Sequence, residues 1–186
     1  MNHLTAPLVL VPLKSFSTAK QRLRATLSET ETAELAKRLA VQVIEQCAPL
    51  PLWIISDDSD IAEFARVRGL ELFRPSAPGL NLGITEAYQA AAPKFRRVVI
   101  VHGDIANPVG LGTENFDDGI SLYTDHHGTG TNVLSLPTGL PFVFGYGPGS
   151  AQHHEATARK LGVTLRVISD SPWRFDIDTP EDLARP

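Results

Sequence analysis

The stretch Val98-Val99-Ile100-Val101-His102-Gly103-Asp104 decides the fold. Four consecutive apolar, largely β-branched residues do not suit a strand with one wet face, which would alternate. They suit a strand covered on both faces, as in a parallel sheet. Leu8-Val9-Leu10-Val11, ending at Pro12, has the same character, and so does the run from Leu52 to Ile55 before Ser56-Asp57-Asp58. Leu70 to Phe73 is a shorter candidate. Helical patterns separate these runs. Ser28-x-x-Glu31 is a capping box, followed by Leu35, Leu39, Val43 and Cys47 at every fourth position. A second helix carries Ile61, Phe64 and Ala65 and stops at Gly69; a third runs from Leu80 to Ala92, before Pro93. Strands alternating with helices imply right-handed crossovers. The expected class is therefore α/β, a mostly parallel sheet with helices on both faces, in a Rossmann-like arrangement.

Beyond Asp104 the pattern loosens. Residues 106–119 hold glycines and a proline and read as a loop. Strands are expected near Ile120–Tyr123, Asn132–Leu136, Phe142–Phe144, Leu165–Ile168 and Trp173–Asp176, with a helix from Ser150 to Leu161. Neither a repeat nor a linker divides the chain, and its 186 residues suit one domain spanning 1–186.

A chain that is 42% hydrophobic and 20% charged is neither disordered nor fibrous. The apolar stretch Leu8–Leu13 is far shorter than the roughly 20 residues a bilayer needs, and it has no signal-peptide flanks. No membrane association is expected, and the default location is cytoplasmic. Cys47 is the single cysteine, so it has no disulfide partner within the chain, and it falls on an apolar helix face. The net charge of −4 is unevenly spread: residues 1–28 hold Lys14, Lys20, Arg22 and Arg24 and no acid. The acidic remainder and the lack of nucleic-acid motifs make a nucleic-acid partner unexpected.

In open parallel sheets, ligands bind beyond the carboxyl ends of the strands. The first strand delivers Pro12-Leu13-Lys14, then Ser15, Ser17, Thr18, Lys20, Arg22 and Arg24. Such cations and hydroxyls suit a polyphosphate, although without a P-loop motif they also fit a solvated basic loop. The strand at Val98–Val101 delivers Asp104, a position that suits a metal ligand or a turn residue. Near the end, Thr179-Pro180 with Asp182 starts a helix, which leaves Asp176 and Asp178 unexplained. Spaced by two in extended chain, they face one side, where their charges repel unless a cation lies between them; oxygen ligands favour Mg²⁺ or Mn²⁺. Gly128-Thr129-Gly130-Thr131-Asn132 and Gly145-Tyr146-Gly147-Pro148-Gly149-Ser150 are either small-anion cradles or tight turns. His126-His127 and His153-His154 have the wrong directions and no cysteine partners for zinc.

Taken in order, Val11-Pro12-Leu13-Lys14, Ala19-Lys20-Gln21-Arg22-Leu23, Gly79-Leu80-Asn81, Asp104, the Gly128–Asn132 run, Gly147-Pro148-Gly149-Ser150 and Asp176-Ile177-Asp178-Thr179-Pro180 resemble one family. It is that of the 2-phospho-L-lactate/phosphoenolpyruvate guanylyltransferases of coenzyme F-420 biosynthesis, and the resemblance runs from about residue 8 to 183. It implies a nucleotidyltransferase fold of the glycosyltransferase-A type. The implied reaction transfers GMP from GTP to phosphoenolpyruvate, 2-phospho-L-lactate or 3-phospho-D-glycerate, with release of pyrophosphate. By position, Asp104, Asp176 and Asp178 would hold one or two Mg²⁺ ions. Pro12, Lys14, Lys20 and Arg22 would meet the nucleotide, Lys14 and Lys20 acting with Asp104 in catalysis. Asn81 would lie near the guanosine, and Thr131, Gly147 and Ser150 would hold the acceptor acid. The resemblance permits a homodimer.

The chain departs from the family at Asp104-Ile105-Ala106-Asn107-Pro108, where a Gly-rich loop replaces the usual Leu-Pro-Leu and helix. It also has His126-His127 where an arginine is common. Two other readings stand beside the guanylyltransferase: a nucleotidyltransferase for a sugar phosphate, and a silent nucleotide-binding protein. Turnover with a sugar phosphate alone would favour the former. GTP binding without turnover would favour the latter.

Overall fold

The computed structural model describes residues 5–116 and 119–184. Its frame is a sheet of seven strands: β1 (Leu8–Pro12), β2 (Leu52–Ile55), β3 (Glu71–Phe73), β4 (Arg97–Val101), β5 (Ile120–Thr124), β6 (Thr131–Pro137) and β7 (Leu165–Ile168), in the order β3-β2-β1-β4-β6-β5-β7. The pairs β1/β2, β2/β3, β1/β4 and β5/β7 are parallel. The expectation of a mostly parallel sheet holds, with one exception: β6 runs antiparallel to both β4 and β5. A hairpin-length connection from β5 to β6 leaves no room for a crossover helix, so the chain must reverse.

Helices cover both faces. Leu8 and Leu10 of β1 pack with Ile84 and Ala87 of α3 (Leu80–Ala91) and with Ala151 and Ala158 of α4 (Ser150–Leu161). The alternate residues Val9 and Val11 pack with Val43 and Cys47 of α1 (Glu29–Cys47) and with Ile61 and Ala65 of α2 (Ser59–Val67). That double burial is why these strands read as unbroken apolar runs. The Ser28 capping box opens α1: Ser28 Oγ accepts from the Glu31 amide, while the Ser28 amide donates to Glu31 Oε2 at 2.8 Å. Cys47 is fully buried and its thiol is pushed up to about 12 by that burial, which makes it an inert core residue.

Two expected strands are absent. Phe142–Phe144 belongs to no strand; Phe142, Phe144 and Tyr146 alternate into the core with residues of α3 and α4, so a period-two pattern arises from packing alone. Trp173 belongs to a 3₁₀ turn (Pro172–Arg174), and Asp176 forms only an isolated bridge with Ile105. The large Trp173 ring fills the α1/α2 side of the core, and its indole N–H donates to the Val109 carbonyl. This pins the loop after Asp104. A last helix, α5 (Pro180–Leu183), starts as expected, with the Thr179 amide and hydroxyl both donating to Asp182 Oδ2.

Candidate active site

Sheet order reverses direction on either side of β1 and β4, and a crevice opens there beyond their carboxyl ends. It is a cavity of about 1020 Å³, walled by the loop from Pro12 to Lys20, by Ser56 to Asp58 after β2, by Gly79 and Leu80 at the start of α3, and by His102, Gly103, Asp104 and Asp178. This volume matches the upper range of small-molecule sites. Lys14 and Lys20 of the cation-rich segment thus lie on this cavity together with five acids, Asp57, Asp58, Asp60, Asp104 and Asp178.

Asp104, Asp176 and Asp178 come together. One carboxylate oxygen from each lies within 4.8 Å of the others. Two distant segments meet here because β4 ends beside the Ile105–Asp176 bridge, and the Ile177 amide donates to the Asp104 carbonyl. Asp104 and Asp178 face the large cavity, whereas Asp176 faces a second one of about 750 Å³ lined also by Asn107, Arg174 and Phe175. Burial, with the neighbouring charges of Asp104 and Asp178, raises Asp176 to about 6. Asp104 Oδ1 is buried and has no hydrogen-bond partner among the described residues. An all-oxygen cluster with an unsatisfied ligand atom and a carboxylate short of positive charge fits a hard divalent cation.

Lys20 is the cation that the fold itself brings to this cluster. Its ammonium donates to Asp104 and, at 2.6 Å, to Asp178 Oδ1, and its side chain is only 6% exposed. Burial opposes the charged form, but the two carboxylates outweigh it and the lysine is held above its ordinary value. Burial likewise opposes the Asp104 carboxylate, but the charges of Lys20 and His102 and the hydrogen bond from Lys20 together more than offset it and hold Asp104 below its ordinary value. Lys20 adopts φ 54°, left-handed backbone that non-glycine residues avoid at a cost of about 1–2 kcal/mol. Strain of this kind persists where the surroundings impose it and is concentrated at functional sites.

The other expected residues differ in how they meet the cavity. Pro12 and Lys14 line it, and Lys14 has no ion-pair partner among the described residues. Arg22 is exposed on a 3₁₀ turn, off the cavity wall. Asn81 has its carboxamide occupied: Oδ1 accepts from the Tyr146 amide at 2.7 Å and Nδ2 donates to the Tyr146 carbonyl at 3.1 Å. It is a clamp on the loop before α4. Thr131 and Ser150 are buried, Gly147 is exposed at φ 136°, and none of these three lines either cavity. Thr131 does lie at the catalytic edge, because antiparallel β6 begins where β4 ends and the His102 amide donates to the Asn132 carbonyl.

Four residues to which the sequence assigned no role in the site complete the neighbourhood, although Asn132 and Tyr146 lie in the two glycine-rich runs and His154 in a histidine pair. Asn132 Nδ2 donates to the Trp173 carbonyl at 2.9 Å and reaches Asp176 Oδ1 at 3.4 Å. His102 stands between the cavity and Tyr146, its ring 5.1 Å from the tyrosine, and burial lowers its pKa. His154, on α4, is fully buried against Thr131 and Tyr146. Strand-end position was a usable signal for His102 and Asn132; for Tyr146 and His154 there was none. His126 stacks on the Phe175 ring at 5.5 Å and lies tilted against His127 at 3.7 Å, so this pair forms an aromatic cluster beside the second cavity.

A cavity at the switch point, lined by Lys14 and Lys20, and a carboxylate cluster at the end of the central strand define a nucleotidyltransferase. The fold is shared with a solved nucleotidyl transferase from Methanothermobacter thermautotrophicus, at TM-score 0.62 and 13% identity over 96% of this chain and 94% of that one. The family follows from sequence: residues 7–185 match the family described as guanylyl transferase, CofC like, and the chain belongs to it. A phosphoenolpyruvate guanylyltransferase from Chloroflexus aggregans is 30% identical over 94% of both chains. A 2-phospho-L-lactate guanylyltransferase from Methanothermobacter thermautotrophicus is 31% identical, over 94% of this chain and 81% of the relative. Among the described residues, no helix is long and apolar enough to cross a membrane.

Proposed function

We propose that this protein transfers GMP from GTP to a three-carbon phosphorylated acid and releases pyrophosphate, as a cytoplasmic step of coenzyme F-420 biosynthesis. The acid is phosphoenolpyruvate, 2-phospho-L-lactate or 3-phospho-D-glycerate. The observation that carries this reading is the cluster of Asp104, Asp176 and Asp178 within 4.8 Å, at the edge of a nucleotide-sized cavity that Asp104, Asp178, Lys14 and Lys20 line. The names of these relatives, guanylyltransferases for phosphoenolpyruvate and 2-phospho-L-lactate, and of a third for 3-phospho-D-glycerate support guanosine as the base and these acids as acceptors.

The chemistry needs little from the protein beyond placement and charge. The nucleophile is a phosphate oxygen of the acceptor, already ionised near pH 7, so no side chain has to remove a proton. It attacks the α-phosphorus of GTP as the bond to the bridging oxygen breaks, and pyrophosphate departs with the electron pair. Asp104, Asp176 and Asp178 would hold Mg²⁺, or Mn²⁺, which neutralises phosphate oxygens and brings two anions together. Lys14 on the cavity wall meets the triphosphate directly. Lys20, held against Asp104 and Asp178, is a second cation beside the cluster that would offset the charge developing on pyrophosphate. Thr131, Gly147 and Ser150 hold the acceptor at the start of β6 and the start of α4.

The test is pyrophosphate release with GTP, ATP or CTP against each of the three acids in the presence of Mg²⁺. Release with GTP and at least one acid is expected. GTP binding without turnover of any acid would overturn the reading, and turnover only with a sugar phosphate would replace it.

A further inference from the structure

His154 has two hydrogen-bond partners, and one of them fixes the ring. The Gly145 amide donates to Nε2 at 3.1 Å. A backbone N–H cannot accept, so Nε2 must carry a lone pair. A proton there would set two donors face to face in a site with no solvent access. The neutral ring therefore has its proton on Nδ1, which lies 3.0 Å from Thr131 Oγ1. Burial, with the nearby His153 and His102, keeps the ring neutral by lowering it to about 3. Thr131 Oγ1 has no other hydrogen-bond partner among the described residues.

We propose that His154 is a positioning residue that sets the polarity of the Thr131 hydroxyl. By donating from Nδ1 it occupies a lone pair of Oγ1 and leaves the Thr131 proton free to be given to an anionic oxygen of the acceptor acid. This rests on the reading of Thr131 as an acceptor-binding residue. A hydroxyl with no such neighbour turns freely and meets an anion with its lone pairs as easily as with its proton; His154 removes that choice before the ligand arrives. The same ring ties the site together. It stands on the second turn of α4, four residues after Ser150. It holds Gly145, two residues before Gly147, and packs edge-on against Tyr146 at 4.7 Å. Thr131 and the Gly147–Ser150 run come from two segments of the chain, and His154 contacts Thr131 in one and Gly145 and Tyr146, just before Gly147, in the other.

Two measurements test this. In the full-length wild-type protein labelled with ¹⁵N-histidine, long-range proton–nitrogen correlation should show a protonated, pyrrole-type Nδ1 and an unprotonated Nε2 for His154. The opposite tautomer, or a doubly protonated ring near pH 7, overturns the proposal whether or not any variant folds. In steady-state kinetics, His154→Leu should raise KM for the acid by about 10- to 100-fold, the worth of a hydrogen bond to a charged group, and leave KM for GTP unchanged. His154→Asn places an amide N–H near the Nδ1 position and should restore most of that loss. Thr131→Val should match His154→Leu, and the double variant should be no worse than Thr131→Val alone. Equal rises in KM for GTP and acid, or no rescue by asparagine, would reduce His154 to a packing residue. If wild type turns over no acid at all, the guanylyltransferase reading has failed, while the tautomer is still decided by the spectrum.

Discussion

Replacing Lys20 with methionine removes one cation from the carboxylate cluster while keeping the length and apolar stem of the side chain. The Lys20 ammonium is bonded to both Asp104 and Asp178 and is nearly inaccessible, so the change leaves three carboxylates within 4.8 Å of one another with no positive charge between them. Removing one partner of a buried ion pair costs about 3–5 kcal/mol. Asp178 is 47% exposed and water can partly solvate it, which places the expected loss near the low end, at about 3 kcal/mol. For a chain of this size that corresponds to a drop in Tm of roughly 6–12 °C. The loss should be largest in EDTA. Mg²⁺ at a hundredfold excess over its Kd contributes about 2.7 kcal/mol to whichever form it binds. On the proposal that Asp104, Asp176 and Asp178 hold the ion, it has to displace the lysine in the wild type, so Mg²⁺ should stabilise Lys20→Met more than wild type. Differential scanning fluorimetry with EDTA and then with a Mg²⁺ series reads both effects. A variant as stable as wild type in EDTA, or equal Mg²⁺ stabilisation of the two proteins, would show that Lys20 does not stand in for the metal.

The same geometry leads to further outcomes. Asp176→Asn and Asp178→Asn should each abolish pyrophosphate release and weaken Mn²⁺ binding measured by electron paramagnetic resonance; unchanged Mn²⁺ affinity would remove that carboxylate from the ligand set. Loss of the Asn81 clamp in Asn81→Ala should cost about 1–3 kcal/mol, since the Tyr146 amide and carbonyl both lose their partner. A stable Asn81→Ala with a raised KM for GTP would instead assign Asn81 to the guanine. Acid should expose His154: its folded pKa of about 3 lies below the ordinary 6.5, so the unfolded chain binds the extra proton first. Its contribution is complete above pH 6.5 and declines as pH falls toward 3, with about 2 kcal/mol lost between pH 7 and 5. Asp176, raised to about 6, acts in the opposite direction below that pH. The contribution of His154, faced by His153, His102 and Tyr146, is therefore read from urea titrations of wild type against His154→Asn; equal pH slopes for the two would refute it.

Much of this protein is written locally. Runs such as Val98–Val101 and Leu8–Val11 state in their own composition that both faces are covered, because no residue in them tolerates water. The Ser28 and Thr179 caps lie within a few residues of the groups they satisfy, and the two-residue spacing of Asp176 and Asp178 already marks them as a pair. The basic loop and the strand-end Asp104 are likewise legible, since a strand carries the residues directly after it to the sheet edge.

Other features depend on residues far apart in the chain, and no local pattern encodes them. Phe142–Phe144 alternates like a strand but is a packed loop, because the same alternation serves either a sheet partner or a core, and only the tertiary structure supplies one or the other. Lys20 and its carboxylates are separated by 84 and 158 residues, so their pairing exists only once β1 and β4 lie side by side. Asn81 is committed to the Tyr146 backbone 65 residues away, and the tautomer of His154 is set by an amide that folding brings to its ring. The sequence alone determined which residues carry charge, which strands are buried and which loops reach the edge, because those depend on neighbours in the chain. Which charges meet, and which hydrogen-bonding groups are still free to bind a ligand, was decided by tertiary structure, because a partner in space removes a group from solvent and the chain order does not name that partner.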